Sequence, residues 1–266
     1  ELWKTDGTQS GTAMVADINI GGAGSDPAYL TDVNGELFFA ATDGSSGVEL
    51  FHSDGTASGT NRVKDINSGG GSDPRFLTAF NGRVYFSAND GIHGRELWKA
   101  STATANLIDL NSTSTSASSN PQNFQVVGGL STLFFAADRG SGVELFKSNA
   151  GGTGIVKDIN GSGSSNPRHL TDYGGTLVFS ADDGSSGAEP WKSDGTPGGT
   201  GRIADINQAD GIGSDPAAFT PFEGQLLFTA DDGAGAQLWR ILSLSAVLPE
   251  AKGPAAGSDP GELAAL

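Results

Sequence analysis

The chain contains no cysteine, so no disulfide can staple it and no thiolate can act as nucleophile or metal ligand. Stability has to come from packing. Cations are scarce as well: 15 Lys and Arg stand against 31 Asp and Glu, a formal net charge of −16. That balance opposes nucleic-acid backbones and anionic lipid surfaces, which call for basic patches. The expected partners therefore include no nucleic acid and no membrane insertion. No apolar run approaches the ~18 residues of a membrane-spanning helix. The first residue, Glu1, is neither a methionine nor part of a signal peptide. The expectation is a monomeric domain of a longer chain.

What is present in quantity is glycine, 41 of 266 residues, yet aromatic and branched residues recur at set points between the glycines. This is not a disordered linker, and the glycines read as turn residues. The segment Glu1-Leu2-Trp3-Lys4-Thr5-Asp6-Gly7-Thr8 returns as Glu49-Leu50-Phe51, Glu96-Leu97-Trp98, Glu144-Leu145-Phe146, Glu189-Pro190-Trp191 and Gln237-Leu238-Trp239. The starts, at residues 1, 49, 96, 144, 189 and 237, lie 48, 47, 48, 45 and 48 residues apart. That period matches one four-stranded propeller blade per repeat. The repeat units are 1–48, 49–95, 96–143, 144–188 and 189–236, followed at 237–266 by a decayed partial sixth repeat or tail in which Gly257-Ser258-Asp259-Pro260 echoes Gly24-Ser25-Asp26-Pro27.

The second unit shows what one repeat builds. Glu49 to Ser53 is a short strand closed by the glycine turn Asp54-Gly55-Thr56, and Arg62-Val63-Lys64-Asp65-Ile66 alternates as a half-buried strand does. Asn67 to Pro74 is too polar and flexible for a strand and reads as the crossover between blades. Phe76 to Phe80, the hairpin signal Asn81-Gly82 and Arg83 to Ala88 supply two more strands. The strand after the hairpin is apolar on both faces, as in Leu37-Phe38-Phe39-Ala40-Ala41 and Leu133-Phe134-Phe135-Ala136-Ala137. Burial on both faces is what a blade stacked between two neighbours requires. Phe39, Phe86, Phe135, Phe179 and Phe228 are placed on this strand, and Trp3, Phe51, Trp98, Phe146, Trp191 and Trp239 on the Glu-Leu-Trp strand. Both sets are expected to fill the space between blades; a sugar-stacking platform is the alternative for the tryptophans.

The fold class is thus all-β, a β-propeller of four-stranded blades. The chain opens on the third and fourth strands of one blade and reaches the first and second strands of another at about Phe219 to Ala230. Pairing of those halves would close a ring of five blades and remove exposed sheet edges. An open fragment of a larger propeller is the alternative.

The motif, with Asp43-Gly44-Ser45-Ser46-Gly47 upstream and Gly11-Thr12 downstream, resembles the bacterial ELWxxDGT repeat proteins over residues 1 to about 240. Phe replaces Trp twice, Pro190 replaces Leu, and Asp-Gly-Thr fails twice. The resemblance implies an extracellular or cell-surface β-propeller and carries over no catalytic residue. The function expected is noncatalytic binding or display, with a glycan or protein as ligand. The alternatives are an exported hydrolase or lyase with an axial-mouth site, and a structural spacer.

Chemistry-bearing residues are few. Asp17, Asp65, Asp109, Asp158 and Asp205 each precede Ile or Leu and then Asn, and are expected, with those asparagines, to bond backbone groups where the crossover begins. Gly21-Gly22-Ala23-Gly24-Ser25-Asp26 fits the start of a β-roll calcium nonapeptide, but one copy per repeat is not the tandem array that a β-roll needs. No cofactor is expected. An isolated calcium ion held by Asp26, Asp73 or Asp215 is the alternative to solvated loop residues. His52, His93 and His169 occupy different points of different repeats and are expected at the surface. The third repeat is the least typical, with the Ser/Thr-rich crossover Asn111 to Asn120 and with Arg139.

Overall fold

The computed structural model describes residues 1–241 and 244. They divide into two compact units, Glu1–Gln122 with Asp138–Gly140, and Asn123–Ala137 continuing from Ser141. Among the described residues every regular element is a β-strand except one 3-10 turn at Gly128–Leu130.

In the first unit β1 (Leu2–Lys4) and β2 (Ala13–Ala16) form a two-stranded ribbon. β3 (Ala28–Val33), β4 (Glu36–Thr42), β5 (Val48–Ser53) and β6 (Asn61–Lys64) make a four-stranded antiparallel sheet in sequence order. β7 (Arg75–Phe80), β8 (Arg83–Asn89), β9 (Arg95–Ser101) and β10 (Thr104–Ile108) repeat it. The second unit holds the sheets of β11 (Gln122–Val127), β12 (Thr132–Asp138), β13 (Val143–Asn149) and β14 (Gly152–Lys157), and of β15 (Arg168–Tyr173), β16 (Thr176–Asp182), β17 (Ala188–Ser193) and β18 (Gly201–Arg202). Its last sheet has three strands, β19 (Ala217–Phe222), β20 (Gln225–Asp231) and β21 (Ala236–Ile241).

The two-faced apolar strand explains how neighbouring sheets stack. Phe38 and Phe39 are adjacent in β4, are 2% and 0% exposed, and serve different cores. Phe38 packs with Leu50, Val84, Phe86 and Trp98 between the two four-stranded sheets of the first unit, whereas Phe39 packs with Leu2, Val15 and Phe51 on the side of the β1–β2 ribbon. In the second unit Phe134, Leu145, Phe179 and Trp191 form the equivalent cluster between β11–β14 and β15–β18. Each such aromatic contributes about 1.5–3 kcal/mol by leaving water. Lys64 Nζ lies 5.6 Å from the Trp98 ring centre and Lys157 Nζ 5.8 Å from that of Trp191, so a lysine of one sheet caps the tryptophan of the next.

The edge of β20 expected to close the ring is taken up within its own unit. β20, whose free edge was to receive residues 1–16, already has β21 on that edge, in register from Leu226↔Ile241 to Asp231↔Ala236. The local hairpin wins because its loop is short and it sets Phe228 opposite Trp239. Residues 237–241 are therefore the third strand of the last sheet and not surplus to it. The echo at Gly257 to Pro260 lies outside the described residues.

Candidate functional site

The Glu-Leu-Trp strand is the third of its sheet, and its glutamate anchors the crossover. Glu49, Glu96, Glu144 and Glu189 are at most 2% exposed. Glu49 accepts hydrogen bonds from Ile66 N at 3.1 Å, Asn67 N at 3.3 Å, Ser72 N at 2.9 Å and Ser72 Oγ at 2.7 Å. Glu96 takes Leu110 N, Ser119 N and Ser119 Oγ at 2.8, 2.6 and 2.6 Å. Glu144 grips Ile159 and Ser165 in the same way, and Glu189 grips Ile206, Asn207 and Ser214. Burial pushes all four carboxyls above the usual range, against the pull of those hydrogen bonds. Even the Ser/Thr-rich third crossover is held by this clamp. The carboxylates are thus committed to loop backbone and are closed to substrate.

The aromatic residues of the strands fall into two classes. Phe51, Trp98, Phe146, Trp191 and Trp239 are 2–6% exposed and lie across from Phe39, Phe86, Phe135, Phe179 and Phe228, each at most 3% exposed. Trp3 is 60% exposed, unlike the packing element expected of it, because among the described residues β1 pairs with β2 alone and has no phenylalanine strand on its other side.

The candidate calcium aspartates have a backbone task. Asp26, Asp73 and Asp215 adopt φ of 48°, 47° and 47°, and Asn120 and Asn166 occupy the same place in two other crossovers at 46°. Asp and Asn tolerate this left-handed conformation best among residues with a side chain. Asp73, Asn120, Asn166 and Asp215 each donate their N–H to the first residue of the third strand, Val48, Arg95, Val143 or Ala188. Interchange of Asp with Asn fits a conformational requirement better than a need for charge. Among the described residues, no group of three or more His, Asp or Glu is placed to hold a metal ion.

The crossover asparagines do bond backbone, as expected: Asn67 Nδ2 donates to Gly71 O and its Oδ1 accepts from Gly69 N. Their preceding aspartates do not share that task. Asp65 and Asp205 face Arg62 and Arg202 at 3.7 and 3.3 Å, and Asp17, Asp109 and Asp158 are exposed. The histidines stay apart. His52 Nδ1 meets Glu36 at 2.5 Å and His93 Nδ1 meets Asp90 at 2.7 Å, each within its own sheet, and Arg139 is exposed.

His169 leads to a feature that the strand pattern hid. The first strand of the sheets carries a bulge, seen as register breaks at Ala28/Thr31, Arg75/Thr78, Arg168/Thr171 and Ala217/Thr220. The bulged residue is Tyr29, Phe76, His169 or Ala218, with Asn123 in the matching place on β11, and all five have φ between 54° and 58°. In the four threonine-bearing strands the hydroxyl two residues on donates to the bulged carbonyl, for example Thr78 Oγ1 to Phe76 O at 3.0 Å. A bulky side chain in this conformation costs about 1–2 kcal/mol, and bulges re-aim side chains.

In the first unit the re-aimed pair is aromatic and open to solvent. Tyr29 is 46% and Phe76 40% exposed, their ring centres are 6.4 Å apart, and their strands are joined by Thr31 Oγ1 donating to Leu77 O at 3.1 Å. In the second unit the same end of neighbouring sheets encloses a cleft of about 600 Å³ lined by Asn166, Arg168, His169, Asp182 and Asp215 among others. The sequence signal was there in Pro27-Ala-Tyr-Leu-Thr31, Pro74-Arg-Phe-Leu-Thr78 and Pro167-Arg-His-Leu-Thr171. It needed recognition that the third residue leaves the strand alternation.

Comparison with family models and with curated proteins finds no match. Among solved structures the chain is similar to a puromycin hydrolase, with 16% identity, a TM-score of 0.51, and coverage of 89% of this chain and 39% of that one. It is similar also to a structure described in a study of two prolyl endopeptidases, at 11% identity and TM-score 0.51, over 81% of this chain and 34% of that one. These neighbours are β-propeller proteins. The fold is a β-propeller. Likeness at such identities concerns the fold alone, and the propeller chain spans about two fifths or less of either neighbour's length.

Proposed function

We propose that this propeller is a noncatalytic binding or display module of a longer extracellular or cell-surface protein, taking a glycan or protein at the bulged ends of its first strands. The observation that carries the reading is the Tyr29–Phe76 pair: two large rings, 46% and 40% exposed and tilted against each other, held on strained backbone. The same bulge recurs from sheet to sheet, which would make binding multivalent.

Both neighbours are hydrolytic enzymes, but a hydrolase needs an acid, a base or a nucleophile brought together. Here His52 and His93 are each engaged by a neighbouring carboxylate and the four most buried glutamates hold loops, while His169 shares its cleft with Asp182 and Asp215 but with no second histidine. This arrangement favours binding. The test is a glycan array probed with and without calcium, using the wild-type chain and a Tyr29→Ala/Phe76→Ala double variant. Saturable binding lost in the double variant is expected. Silence of the wild-type chain on the array would shift the reading to a spacer, and binding untouched in the variant would place the site elsewhere.

A further inference from the structure

Beside the aromatic pair lies an exception to the acidic surface. The residue that opens the third strand is Val48, Val143, Ala188 or Ala236 in four sheets, but Arg95 in β9. Nothing in the repeat requires a cation there. Arg95 Nη1 reaches across β8 and donates to Ser87 O at 3.2 Å and to Asp73 O at 2.9 Å. Arg75, on β7, is the register partner of the same Ser87, and is the residue immediately before Phe76. Arg95 Nη1 thus bonds the carbonyl of the residue that Arg75 faces in register, and the positive charge of Arg75 acts on Arg95. Burial first, and then the charge of Arg75, hold Arg95 below its ordinary arginine value, with Asp73 and Tyr29 acting in the opposite sense. Two arginines that act on each other stand out in a chain of formal charge −16.

Half-burying a second arginine beside a first is unfavourable without an anion to share. The two carbonyl bonds engage only Nη1 of Arg95, so its fork retains donors for a planar acceptor, and Arg75 is exposed. Rings that offer a flat apolar face next to guanidinium groups match a ligand that joins flat apolar ring faces to a carboxylate. A uronic-acid sugar has both. An acidic peptide without ring-bearing side chains offers the carboxylate but no ring face to lay on Tyr29 and Phe76.

We infer that Tyr29, Arg75, Phe76 and Arg95 form a site for acidic oligosaccharides, in which pyranose rings stack on the aromatic pair and a uronate carboxylate pairs with the arginines. The inference rests on the binding reading above and names its ligand class.

The experiment titrates the chain with tetragalacturonate, with a neutral oligosaccharide of the same length and with tetraglutamate, by calorimetry at low and high salt. The wild type should prefer tetragalacturonate and lose affinity as salt rises. Arg95→Val, which installs the residue of two other sheets, should keep the unfolding midpoint while weakening tetragalacturonate by roughly tenfold or more, the loss of a charge-assisted contact. Arg95→Lys should recover part of that loss, and Tyr29→Ala should weaken acidic and neutral sugars alike. Equal binding of neutral and acidic sugars, or no effect of Arg95→Val, would overturn the inference and leave the binding module standing. Preference for tetraglutamate over tetragalacturonate would replace the sugar with a peptide. Binding of none of the three would remove the acidic-sugar site, and the array then decides whether the module binds at all.

Discussion

Replacing Glu49 by alanine tests whether the repeat glutamate is the clamp of the crossover. The substitution strips the acceptor from Ile66 N, Ser72 N and Ser72 Oγ, which are buried, and from Asn67 N, which is partly so. Each buried donor left without a partner costs about 1–3 kcal/mol. Against this stands the relief of no longer burying a carboxylate, and water can enter the space vacated. The net expectation is a loss of about 3–5 kcal/mol, the scale seen when one partner of a buried charged contact is removed. Glu49→Gln keeps the shape and one acceptor oxygen but turns an amide toward N–H groups that cannot accept from it. It should cost about 1–2 kcal/mol at neutral pH. Asp17→Ala removes an exposed acid and should lie within about 0.5 kcal/mol of the wild type. Urea unfolding followed by circular dichroism reads all three, and Glu96, Glu144 and Glu189 provide independent repeats of the measurement. If Glu49→Ala is no worse than Asp17→Ala, the crossover holds itself and the clamp argument fails.

The pH dependence has two opposing limbs. The four buried glutamates have raised carboxyl values, so their titration contributes stability that is full below the unfolded value near 4.5 and is lost as pH rises through the higher folded values. Asp43 is lowered to about 2 by the Ser45 and Ser46 N–H groups and, with less weight, by Arg62, so its contribution is full above 3.8 and is lost as pH falls through about 2. The unfolding midpoint should therefore rise from pH 7 toward about 4.5 and fall below it; Asp43→Asn should weaken the acid limb, to which Asp6, Asp54, Asp90, Asp183 and Asp194 also contribute, and a flat profile would contradict both assignments. Gly47→Ala should cost about 2–4 kcal/mol, since φ is 71° and a Cβ would stand 2.4 Å from Gly71 N; Gly35→Ala, at φ 87° with open space around it, should cost only about 1 kcal/mol in the same urea assay. Phe76→Asn, which copies Asn123 of β11, should raise stability by about 0.5–1 kcal/mol while abolishing the sugar binding; loss of more than about 1 kcal/mol would make Phe76 a packing residue.

The architecture was legible because a blade must solve the same burial problem in every repeat. Leu-Phe-Phe-Ala-Ala at residues 37–41 can be apolar on both faces only between two sheets, and the Asn81-Gly82 and Asp54-Gly55 turns fix where strands reverse. The strand order followed from those positions. The clamp was less visible, since Glu49 precedes an apolar pair and reads as an ordinary strand-edge acid. Its burial arises from a loop 17–23 residues away folding back over it, as the separations to Ile66 and Ser72 show. The bulge was hidden for a different reason. A period of two cannot register a single residue in left-handed conformation, and Tyr29 and Phe76 look like excellent strand formers. The third strand of the last sheet was harder to see, because Leu238 and Trp239 stand where the repeat pattern fades.

The clamp and the bulge stand at the same end of the sheet, and their energies bear on each other. Ser72, held by Glu49, is followed by Asp73 and Pro74 in left-handed and then fixed geometry, and Phe76 comes two residues after the proline. A residue of this size at positive φ is about 1–2 kcal/mol above its relaxed state, and persists only where the flanking backbone is over-determined. The glutamate supplies that determination, because its four hydrogen bonds fix both ends of the crossover that delivers the bulge. Stability and presentation are therefore separable by position: four sheets place a glutamate at the clamp, whereas the bulged position carries Tyr, Phe, Asn, His or Ala on one backbone. A scaffold of this kind lets ligand preference vary from sheet to sheet at nearly constant fold energy. On the binding reading proposed above, Tyr29 and Phe76 would define one specificity and His169 with Arg168 another, while Ala218 would leave its sheet bare.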